Sequence, residues 1–277
     1  MDVGYDPEAS RNSPSQYSVS ITQYESQTFT ADVSDNDGDL YYVEWYLAGE
    51  YQETDMSVSG YTGTSSWSHT FSNTGTYEVK AIVYDTRNDG DHVGYTTWSV
   101  TVNPIETIDT INFSHIMWDV RPGSEITQGP GDNYWSNSTE NIWKDGDGQL
   151  HLKIINRSGK WYCPEIYSQE TFGYGSYYFF ASSRVDELDK NVVVGLFTYL
   201  DDNNEIDIEF SKWGEDNADN SQYVVQPYYH AGNTHRFDMQ LNGDYSTHCI
   251  DWHQNYINLF RGCPTITPQQ IIIPAHI

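Results

Sequence analysis

The chain has 277 residues, of which 40 are Asp or Glu and 13 are Lys or Arg, giving a formal net charge of −27. This charge excludes nucleic acid and anionic membranes as electrostatic partners, since both need a basic protein surface. No run approaches the ~18–20 apolar residues of a membrane span, so we expect no membrane insertion. The 23 tyrosines and 9 tryptophans indicate aromatic side chains that pack in a core or bind a neutral ligand.

The first hundred residues predict a linker followed by a small β-sandwich. Residues 1–16 are polar and contain two prolines, which is typical of a linker. From residue 17 to residue 103 short alternating segments recur, separated by turns rich in Asn, Asp and Gly, as in an antiparallel sandwich. One of these turns is Asn88-Asp89-Gly90-Asp91.

Three stretches of this region resemble the Ig-like modules called PKD-like domains: Trp45-Tyr46, Phe71–Val79 and Val83–Asp85. The resemblance implies that Trp45 lies in the core and that Tyr77 occupies the corner before the next-to-last strand. Trp67 and Trp98 could form a platform for a sugar, but core packing is the default expectation for each.

The loop Asp35-Asn36-Asp37-Gly38-Asp39 suggests calcium through its alternating aspartates. An EF-hand loop, however, has Gly at its sixth position and ligands at the first, third and fifth. The frame that puts Gly38 sixth puts Val33 first, and valine offers no ligand. A hairpin turn is therefore the default interpretation. We expect no cofactor, with a structural calcium ion left open.

Asn103-Pro104 marks a boundary, because proline ends a strand. Residues 108–262 again read as strands joined by glycine turns and predict a second, larger antiparallel sandwich. The fold class expected for the whole chain is all-β. The three cysteines, Cys163, Cys249 and Cys263, show no C-x-x-C spacing, so free thiols are expected, with one pairing left open.

The segment Glu205–Phe210, with the sequence E-I-D-I-E-F, alternates carboxylates with isoleucines as a strand with one acidic face does. Glu205 and Glu209 are about 13 Å apart at Cα, and their long side chains can close to the ~5–5.5 Å of a retaining glycosidase. Three like charges repel, so we expect shared protons and at least one raised pKa. The alternative is the solvated face of an ordinary surface strand.

The motifs of this region resemble glycoside hydrolase family 16, a family of β-jelly-roll endo-glucanases that includes lichenases and laminarinases. The resemblance spans roughly residues 113–260. The strict E-x-D-x-E alternation is similar to the lichenase branch of that family. The matching motifs are Gly129–Ser136, Asp147–Leu152, Phe172–Tyr177, Gly195–Tyr199, Glu205–Phe210 and Trp213-Gly214.

The resemblance implies a role for each acidic residue of this strand. Glu205 is the expected nucleophile, Glu209 the expected acid/base, and Asp207 the residue that hydrogen-bonds the nucleophile. Further residues are implied to bind substrate through hydrogen bonds or by stacking on sugar rings: Glu165, Phe197, Tyr199, Trp213, Asn133, Trp135, Gln226 and Tyr228. Two positions depart from the pattern, because Tyr167 replaces an arginine that clamps substrate and Asn203 replaces a tryptophan.

The C-terminus departs further. Family members continue beyond the strand that ends at Phe260 with several more strands, whereas residues 263–277 form an atypical tail with prolines and an isoleucine run. The catalytic domain is therefore expected to lack its last strands, which would leave unpaired sheet edges.

The resemblance as a whole implies a retaining endo-β-glucanase acting on β-1,3/1,4- or β-1,3-glucan. We expect an extracellular or cell-surface monomer with β-glucan as its partner. The N-terminus shows no signal peptide, so the alternatives are an intracellular protein or a segment of a longer secreted one. The alternative is a non-catalytic glycan-binding or cell-surface protein that has lost turnover through truncation. A purely structural protein built of two sandwiches would require the acidic strand to be accidental.

Overall fold

The structure is a computed structural model that describes residues 6–86, 93–262 and 271–275. It divides into two compact units: unit 1 is Met1–Ile105 with Arg157–Gly159, and unit 2 is Glu106–Asn156 with Lys160–Ile277. The all-β prediction is confirmed, since every regular element in these ranges is a strand. A search of the same residues finds no helix with the length and apolar character needed to cross a membrane. The turn at residues 88–91 and Cys263 lie outside the described residues.

Unit 1 is a sandwich of two sheets, with strand orders β1-β3-β6 and β2-β8-β7-β4-β5. Its strands are β1 (Glu8–Ser13), β2 (Ser18–Thr22), β3 (Ser26–Ser34), β4 (Leu40–Leu47), β5 (Glu50–Asp55), β6 (Thr62–Thr70), β7 (Gly75–Asp85) and β8 (Val93–Asn103). Small apolar and aromatic residues alternate with polar ones along β3, β7 and β8, which gives each strand one buried face.

Three tryptophans fill the space between the two sheets of unit 1. Trp45 stacks on Trp67 and Trp98, with ring centroids 6.2 and 5.8 Å apart. The Trp45 indole N–H donates to Ser65 Oγ at 3.0 Å, so its one polar atom is satisfied. Trp67 and Trp98 are buried, which excludes the sugar platform and confirms core packing. Tyr77 donates its hydroxyl to the Asn73 carbonyl at 3.0 Å, as a tyrosine corner does.

The prediction of a linker over residues 1–16 is wrong for part of that range. Residues Glu8–Ser13 form β1, which pairs antiparallel with β3 from Glu8 opposite Ser34 to Ser13 opposite Thr30. Its side chains are mostly exposed, so the strand lacks the apolar alternation on which a sequence prediction depends. The backbone hydrogen bonds to β3 hold it in place instead.

Unit 2 contains two four-stranded sheets, with strand orders β23-β22-β17-β24 and β18-β19-β20-β21, and several shorter strand groups. The strands of the two large sheets are β17 (Gly175–Ala181), β18 (Val194–Asp201), β19 (Asn204–Phe210), β20 (Ser221–Val225), β21 (Thr234–Phe237), β22 (Ser246–Trp252), β23 (Ile257–Arg261) and β24 (Ile271–Ala275). The shorter strands are β9 (Thr110–Phe113), β10 (Ile116–Val120), β11 (Tyr134–Trp135), β12 (Ile142–Lys144), β13 (Leu150–Leu152), β14 (Ile155–Arg157), β15 (Lys160–Cys163) and β16 (Ile166–Ser168).

The main core of unit 2 lies between the two four-stranded sheets. Ile206, Ile208 and Phe210 of β19 belong to the same buried cluster as Tyr177 and Phe179 of β17. Since side chains alternate along a strand, the acidic residues of β19 must lie on the opposite face of its sheet, away from this core. The core therefore fixes which face of the β18–β21 sheet carries the candidate site.

Five residues of the tail that was predicted as atypical over residues 263–277 form a strand in the structure. Residues Ile271–Ala275 form β24, which pairs parallel with β17 from Tyr177 opposite Ile271 to Ala181 opposite Ala275. On its other side β17 pairs with β22, so the prediction of an open sheet edge is wrong for this strand. Isoleucine favours extended structure, and a free strand edge offers unpaired backbone groups to such a segment.

Candidate active site

The acidic residues of β19 lie on one face of the β18–β21 sheet, as predicted from their alternation. Register places Tyr199 opposite Glu205, Phe197 opposite Asp207, and Gly195 opposite Glu209. On the other side Gln222 of β20 lies opposite Glu209. Directly opposite residues in an antiparallel pair share a face, so this face combines three carboxyl groups with two aromatic rings.

Asp207 is the most buried member of the acidic trio, with 6% of its surface exposed. Burial raises the pKa of Asp207 to about 8, and the negative charges of Glu205 and Glu209 add to the effect. The raised pKa favours the protonated form of Asp207, and its carboxyl group hydrogen-bonds Glu205. A neutral acid between two glutamates removes one of the three like charges.

Burial also raises the pKa of Glu205, while the hydrogen bond from Asp207 lowers it. The charges of Glu209, Asp202 and Glu165 raise it further. A hydrogen bond donated to a carboxylate stabilises its ionised form. Asp207 therefore counteracts part of the repulsion that would otherwise neutralise Glu205.

Glu209 is held by a chain of polar contacts that runs across β20 to β21. The Gln222 side-chain amide donates to Glu209 Oε2, and its carbonyl oxygen accepts from Arg236 Nε at 2.9 Å. The Arg236 guanidinium lies 4.2 Å from the centre of the Trp213 ring, a distance at which a cation and an aromatic face attract. Both polar ends of Gln222 are thus used, which fixes its rotamer and the direction in which Glu209 points.

The two predicted aromatic residues of β18 are accessible. Phe197 is 37% exposed and Tyr199 is 57% exposed, although they stand over the most buried carboxyl groups of the sheet. The Tyr199 hydroxyl donates to Asp202 Oδ1 at 2.9 Å, which orients the ring next to Glu205. An exposed aromatic ring beside carboxylates is suited to stacking on the apolar face of a sugar.

Glu165 and Trp135 are joined by Arg121, which the sequence did not single out. Arg121 Nη1 donates to Glu165 Oε2 at 2.9 Å, and the guanidinium lies 3.9 Å from the centre of the Trp135 ring. Its second nitrogen donates to the Gly129 carbonyl at 2.8 Å. An arginine is thus present beside Glu165 even though Tyr167 replaces the arginine of the family pattern.

The predicted residues Gln226 and Tyr228 follow the end of β20 at Val225. The Gln226 backbone N–H donates to the Glu205 carbonyl at 2.9 Å, so Gln226 lies beside Glu205, while Pro227 donates no ladder hydrogen bond and Tyr228 lies beyond it. The Gln226 side-chain oxygen accepts the Tyr228 backbone N–H at 2.9 Å. Asn133 is exposed and donates to the Pro130 carbonyl at 2.7 Å.

Sequence reasoning missed Gln222, Arg236 and Arg121 as members of the site. Gln222 carried a usable signal: a strand beginning at Ser221 rather than Tyr223 places it on the face of Glu209. Arg236 then follows from its register opposite Gln222. No sequence signal pointed to Arg121, since its partner Glu165 is 44 residues away in the chain.

Comparison with known proteins gives only distant likenesses. No protein-family model matches the chain, and no curated protein matches it. Among solved structures, a glycosyl hydrolase family protein from Mycobacterium fortuitum is similar over 55% of this chain and 68% of its own, at 16% identity and a TM-score of 0.39. A pseudo β-1,3-glucanase of Mycobacterium tuberculosis is similar over 55% and 67%, at 14% identity and a TM-score of 0.38.

The fibronectin(III)-like modules of Clostridium thermocellum CbhA are similar over 36% of this chain, at 23% identity and a TM-score of 0.28. This match spans about half, 48%, of the length of those modules. The structural neighbours are thus glycosyl hydrolases and small β-sandwich modules. All three TM-scores are below 0.5, so these likenesses do not decide activity or substrate.

Proposed function

We propose that the chain is a retaining endo-β-glucanase of the glycoside hydrolase family 16 type, acting on β-1,3/1,4- or β-1,3-glucan. The observation that carries the proposal is the placement of Glu205, Asp207 and Glu209 on one face of β19, with the Asp207 carboxyl group hydrogen-bonded to Glu205 and its pKa raised by burial. Retaining glycosidases need two carboxyl groups in different states, one ionised and one able to supply a proton.

The proposed reaction has two steps. The Glu205 carboxylate attacks the anomeric carbon while the bond from that carbon to the leaving oxygen breaks, and Glu209 gives its proton to that oxygen. Water then attacks the anomeric carbon of the glycosyl-enzyme. Glu209 takes a proton from this water as the bond to Glu205 breaks, so both carboxyl groups return to their starting states.

Other residues of the same face support a sugar as the substrate. Phe197 and Tyr199 offer exposed rings on β18, directly across from Asp207 and Glu205. A net charge of −27 suits a neutral polysaccharide and disfavours an anionic one. Glu165, held by Arg121, adds a carboxylate that can accept hydrogen bonds from sugar hydroxyls.

The test is release of reducing sugar from barley β-glucan and from laminarin by the wild-type chain and by Glu205→Gln. We expect wild-type hydrolysis of at least one glucan and a loss of about 10³-fold or more in the variant, because no nucleophile remains. Glu215→Gln is the matched control, since it removes an exposed carboxylate outside the site. Equal activity of Glu205→Gln and wild type would reject Glu205 as the nucleophile.

The second candidate function is glycan binding without turnover. The exposed rings of Phe197 and Tyr199 favour it, because stacking on a sugar needs no chemistry at the carboxyl groups. Under this alternative the wild-type chain binds β-glucan oligosaccharides and releases no reducing sugar. Binding and hydrolysis measured on the same preparation therefore separate the two candidates.

A further inference from the structure

Unit 1 contains a second carboxylate cluster that has no part in the proposed reaction. One side-chain oxygen from each of Asp35, Asp39 and Asp85 lies within 4.8 Å of the other two. Asp35 and Asp85 are buried, at 5% and 0% exposure, and Asp39 is partly buried. Asp85 ends β7, almost fifty residues from the loop that carries the other two, so the fold assembles the cluster.

Two oxygens of this cluster are buried and unsatisfied. Asp35 Oδ1 accepts the backbone N–H groups of Asp37 and Gly38 at 2.8 and 3.0 Å. Asp39 Oδ2 accepts the Thr86 hydroxyl at 3.0 Å. Within the described ranges, neither Asp35 Oδ2 nor Asp39 Oδ1 has a hydrogen-bond partner, although both are shielded from solvent.

Such an arrangement is unfavourable without a positive charge. A buried carboxylate oxygen that makes no hydrogen bond carries a desolvation penalty of roughly 1–3 kcal/mol or more. Burial raises the pKa of Asp35 and of Asp39. A carboxyl–carboxyl hydrogen bond with the Asp37 side chain and the negative charge of Asp37 raise both values further, while the Thr86 hydroxyl lowers that of Asp39.

We propose that Asp35, Asp39 and Asp85 bind one Ca²⁺ ion, with Asp35 Oδ2 and Asp39 Oδ1 among its ligands. All three donors are carboxylate oxygens, which Ca²⁺ and Mg²⁺ prefer over the nitrogen- and sulfur-seeking metals. Ca²⁺ accepts irregular sites with six to eight oxygens, whereas Mg²⁺ demands a near-ideal octahedron. Three carboxylates from a loop and the end of a strand form an irregular set of ligands, which suits Ca²⁺ better than Mg²⁺.

The ion would link the loop after β3 to the end of β7 and so stabilise unit 1. Its site differs from an EF-hand, since one ligand comes from a distant strand. The prediction of a hairpin turn over Asp35–Asp39 is wrong, because β3 and β4 belong to different sheets and the loop crosses from one sheet to the other. Asp35 Oδ1 accepts the backbone N–H groups of this loop, which leaves Oδ2 for the metal.

The test is calorimetric titration of the metal-free chain with CaCl₂, together with its thermal unfolding midpoint in EDTA, in Ca²⁺ and in Mg²⁺. We expect one Ca²⁺ bound with a Kd of roughly 0.1–1 mM, as in extracellular modules, and a midpoint that rises with Ca²⁺ concentration. Mg²⁺ should raise the midpoint much less. An equal response to Mg²⁺ would overturn the assignment to calcium.

The variant Asp39→Asn tests whether Ca²⁺ binds at the cluster of Asp35, Asp39 and Asp85. The variant should bind Ca²⁺ at least about tenfold more weakly, because affinity follows the number of charged ligands. In EDTA its midpoint should be at or above that of wild type, since one of the repelling charges is gone; a purely structural role of Asp39 predicts a decrease. Glu53→Gln, an exposed carboxylate on β5, is the matched control and should change neither value.

Two results would overturn the proposal. The first is a folded wild-type chain whose midpoint does not respond to Ca²⁺ at about tenfold the expected Kd. The second is unchanged Ca²⁺ affinity in Asp39→Asn, which would place any bound ion elsewhere, for example at the acidic strand of unit 2. Should Asp39→Asn fail to fold, Asp35→Asn supplies the same comparison at the other unsatisfied oxygen.

Discussion

The two carboxylate clusters of this molecule contain three acidic side chains each but handle their repulsion differently. On β19 the trio lies on an open sheet face, and Asp207 takes a proton that it shares with Glu205 by a hydrogen bond. In unit 1, Asp35 Oδ2 and Asp39 Oδ1 are buried and find no hydrogen-bond donor among the residues that the structure describes. On β19 a proton reduces the repulsion between the carboxylates, and we infer that a bound metal ion does so in unit 1.

This difference follows from the neighbours of each cluster. Gln222 and Arg236 supply donors to the β19 face, and Tyr199 and Phe197 leave space that a neutral ligand can occupy. In the cluster of unit 1, the described hydrogen bonds to Asp35 and Asp39 reach one oxygen of each carboxylate. Two clusters of three acidic residues can therefore have different functions, because different hydrogen-bond donors surround them.

The largest expected effect concerns the proton on Asp207. Its folded pKa of about 8 lies above the roughly 3.9 of an unfolded Asp. A raised folded pKa gives stability that is fully present below the unfolded pKa and is lost as the pH rises through the folded value. Asp207→Asn, which stays neutral and can still donate to Glu205, should therefore gain stability over wild type between pH 4 and pH 8.

The difference in unfolding free energy should grow by up to about 1.4 kcal/mol for each pH unit in that window. Urea or thermal unfolding at pH 5, 6.5 and 8 measures it. Asp219→Asn, at an exposed position, should show no such trend. A stability difference that is constant or shrinks with pH would show that Asp207 is ionised in the folded protein.

A second prediction concerns the donor that positions Glu209. Gln222→Leu removes the hydrogen bonds to Glu209 and from Arg236 at nearly constant volume. We expect kcat on β-glucan to fall roughly 10-fold or more, since hydrogen bonds to charged groups are worth about 1.5–3 kcal/mol. KM should change little, because Gln222 positions the acid rather than the sugar.

The loss in Gln222→Leu should shrink for an aryl glycoside with a good leaving group, which needs less help from a general acid. Gln169→Leu is the matched control, since Gln169 also donates to a carboxylate, Asp119, away from β19. An equal loss of activity in both variants would indicate a general effect on unit 2 instead of a role for Gln222.

A smaller effect is expected from Tyr199. Tyr199→Ala should weaken binding of β-glucan oligosaccharides by about 2- to 10-fold, the range expected from one aromatic stacking contact. Tyr245→Ala removes a ring that is 70% exposed and not assigned to the site, and should leave affinity unchanged. Calorimetry with the Glu205→Gln background avoids turnover of the ligand during the measurement.

The smallest expected effect is that of metal removal on hydrolysis. EDTA should leave the initial rate on β-glucan unchanged at temperatures where unit 1 stays folded, because the proposed reaction uses carboxyl groups and water only. The same treatment should lower the unfolding midpoint of the chain. Loss of the initial rate in EDTA, restored by Ca²⁺, would place a metal requirement in the reaction and remove the contrast between the two clusters.

The sequence allowed correct prediction of features that depend on local alternation. The strand Glu205–Phe210 and its one acidic face follow from period-2 spacing, and the core positions of Trp45 and Trp98 follow from the sandwich pattern. Contacts made by distant residues could not be predicted. Asp85 beside Asp35, and Arg121 beside Glu165, depend on how separate strands come together.

Two errors arose where backbone pairing overrides side-chain pattern. Residues Glu8–Ser13 form an edge strand with little apolar character, and Ile271–Ala275 form a strand after prolines that suggested irregular structure. Pro227 had the opposite effect, because it ends β20 where the aromatic residues beyond it suggested a longer strand. In each case backbone hydrogen bonding decided the outcome.

The central claim is that Glu205 is the nucleophile, and azide rescue of Glu205→Ala tests it most directly. With 2,4-dinitrophenyl β-laminaribioside, the variant should be nearly inactive alone. Added azide should attack the anomeric carbon from the side that Glu205 occupied while dinitrophenolate leaves. We expect the α-glycosyl azide as the product seen by NMR. A β-glycosyl azide would contradict it, because that product requires an intact nucleophile elsewhere.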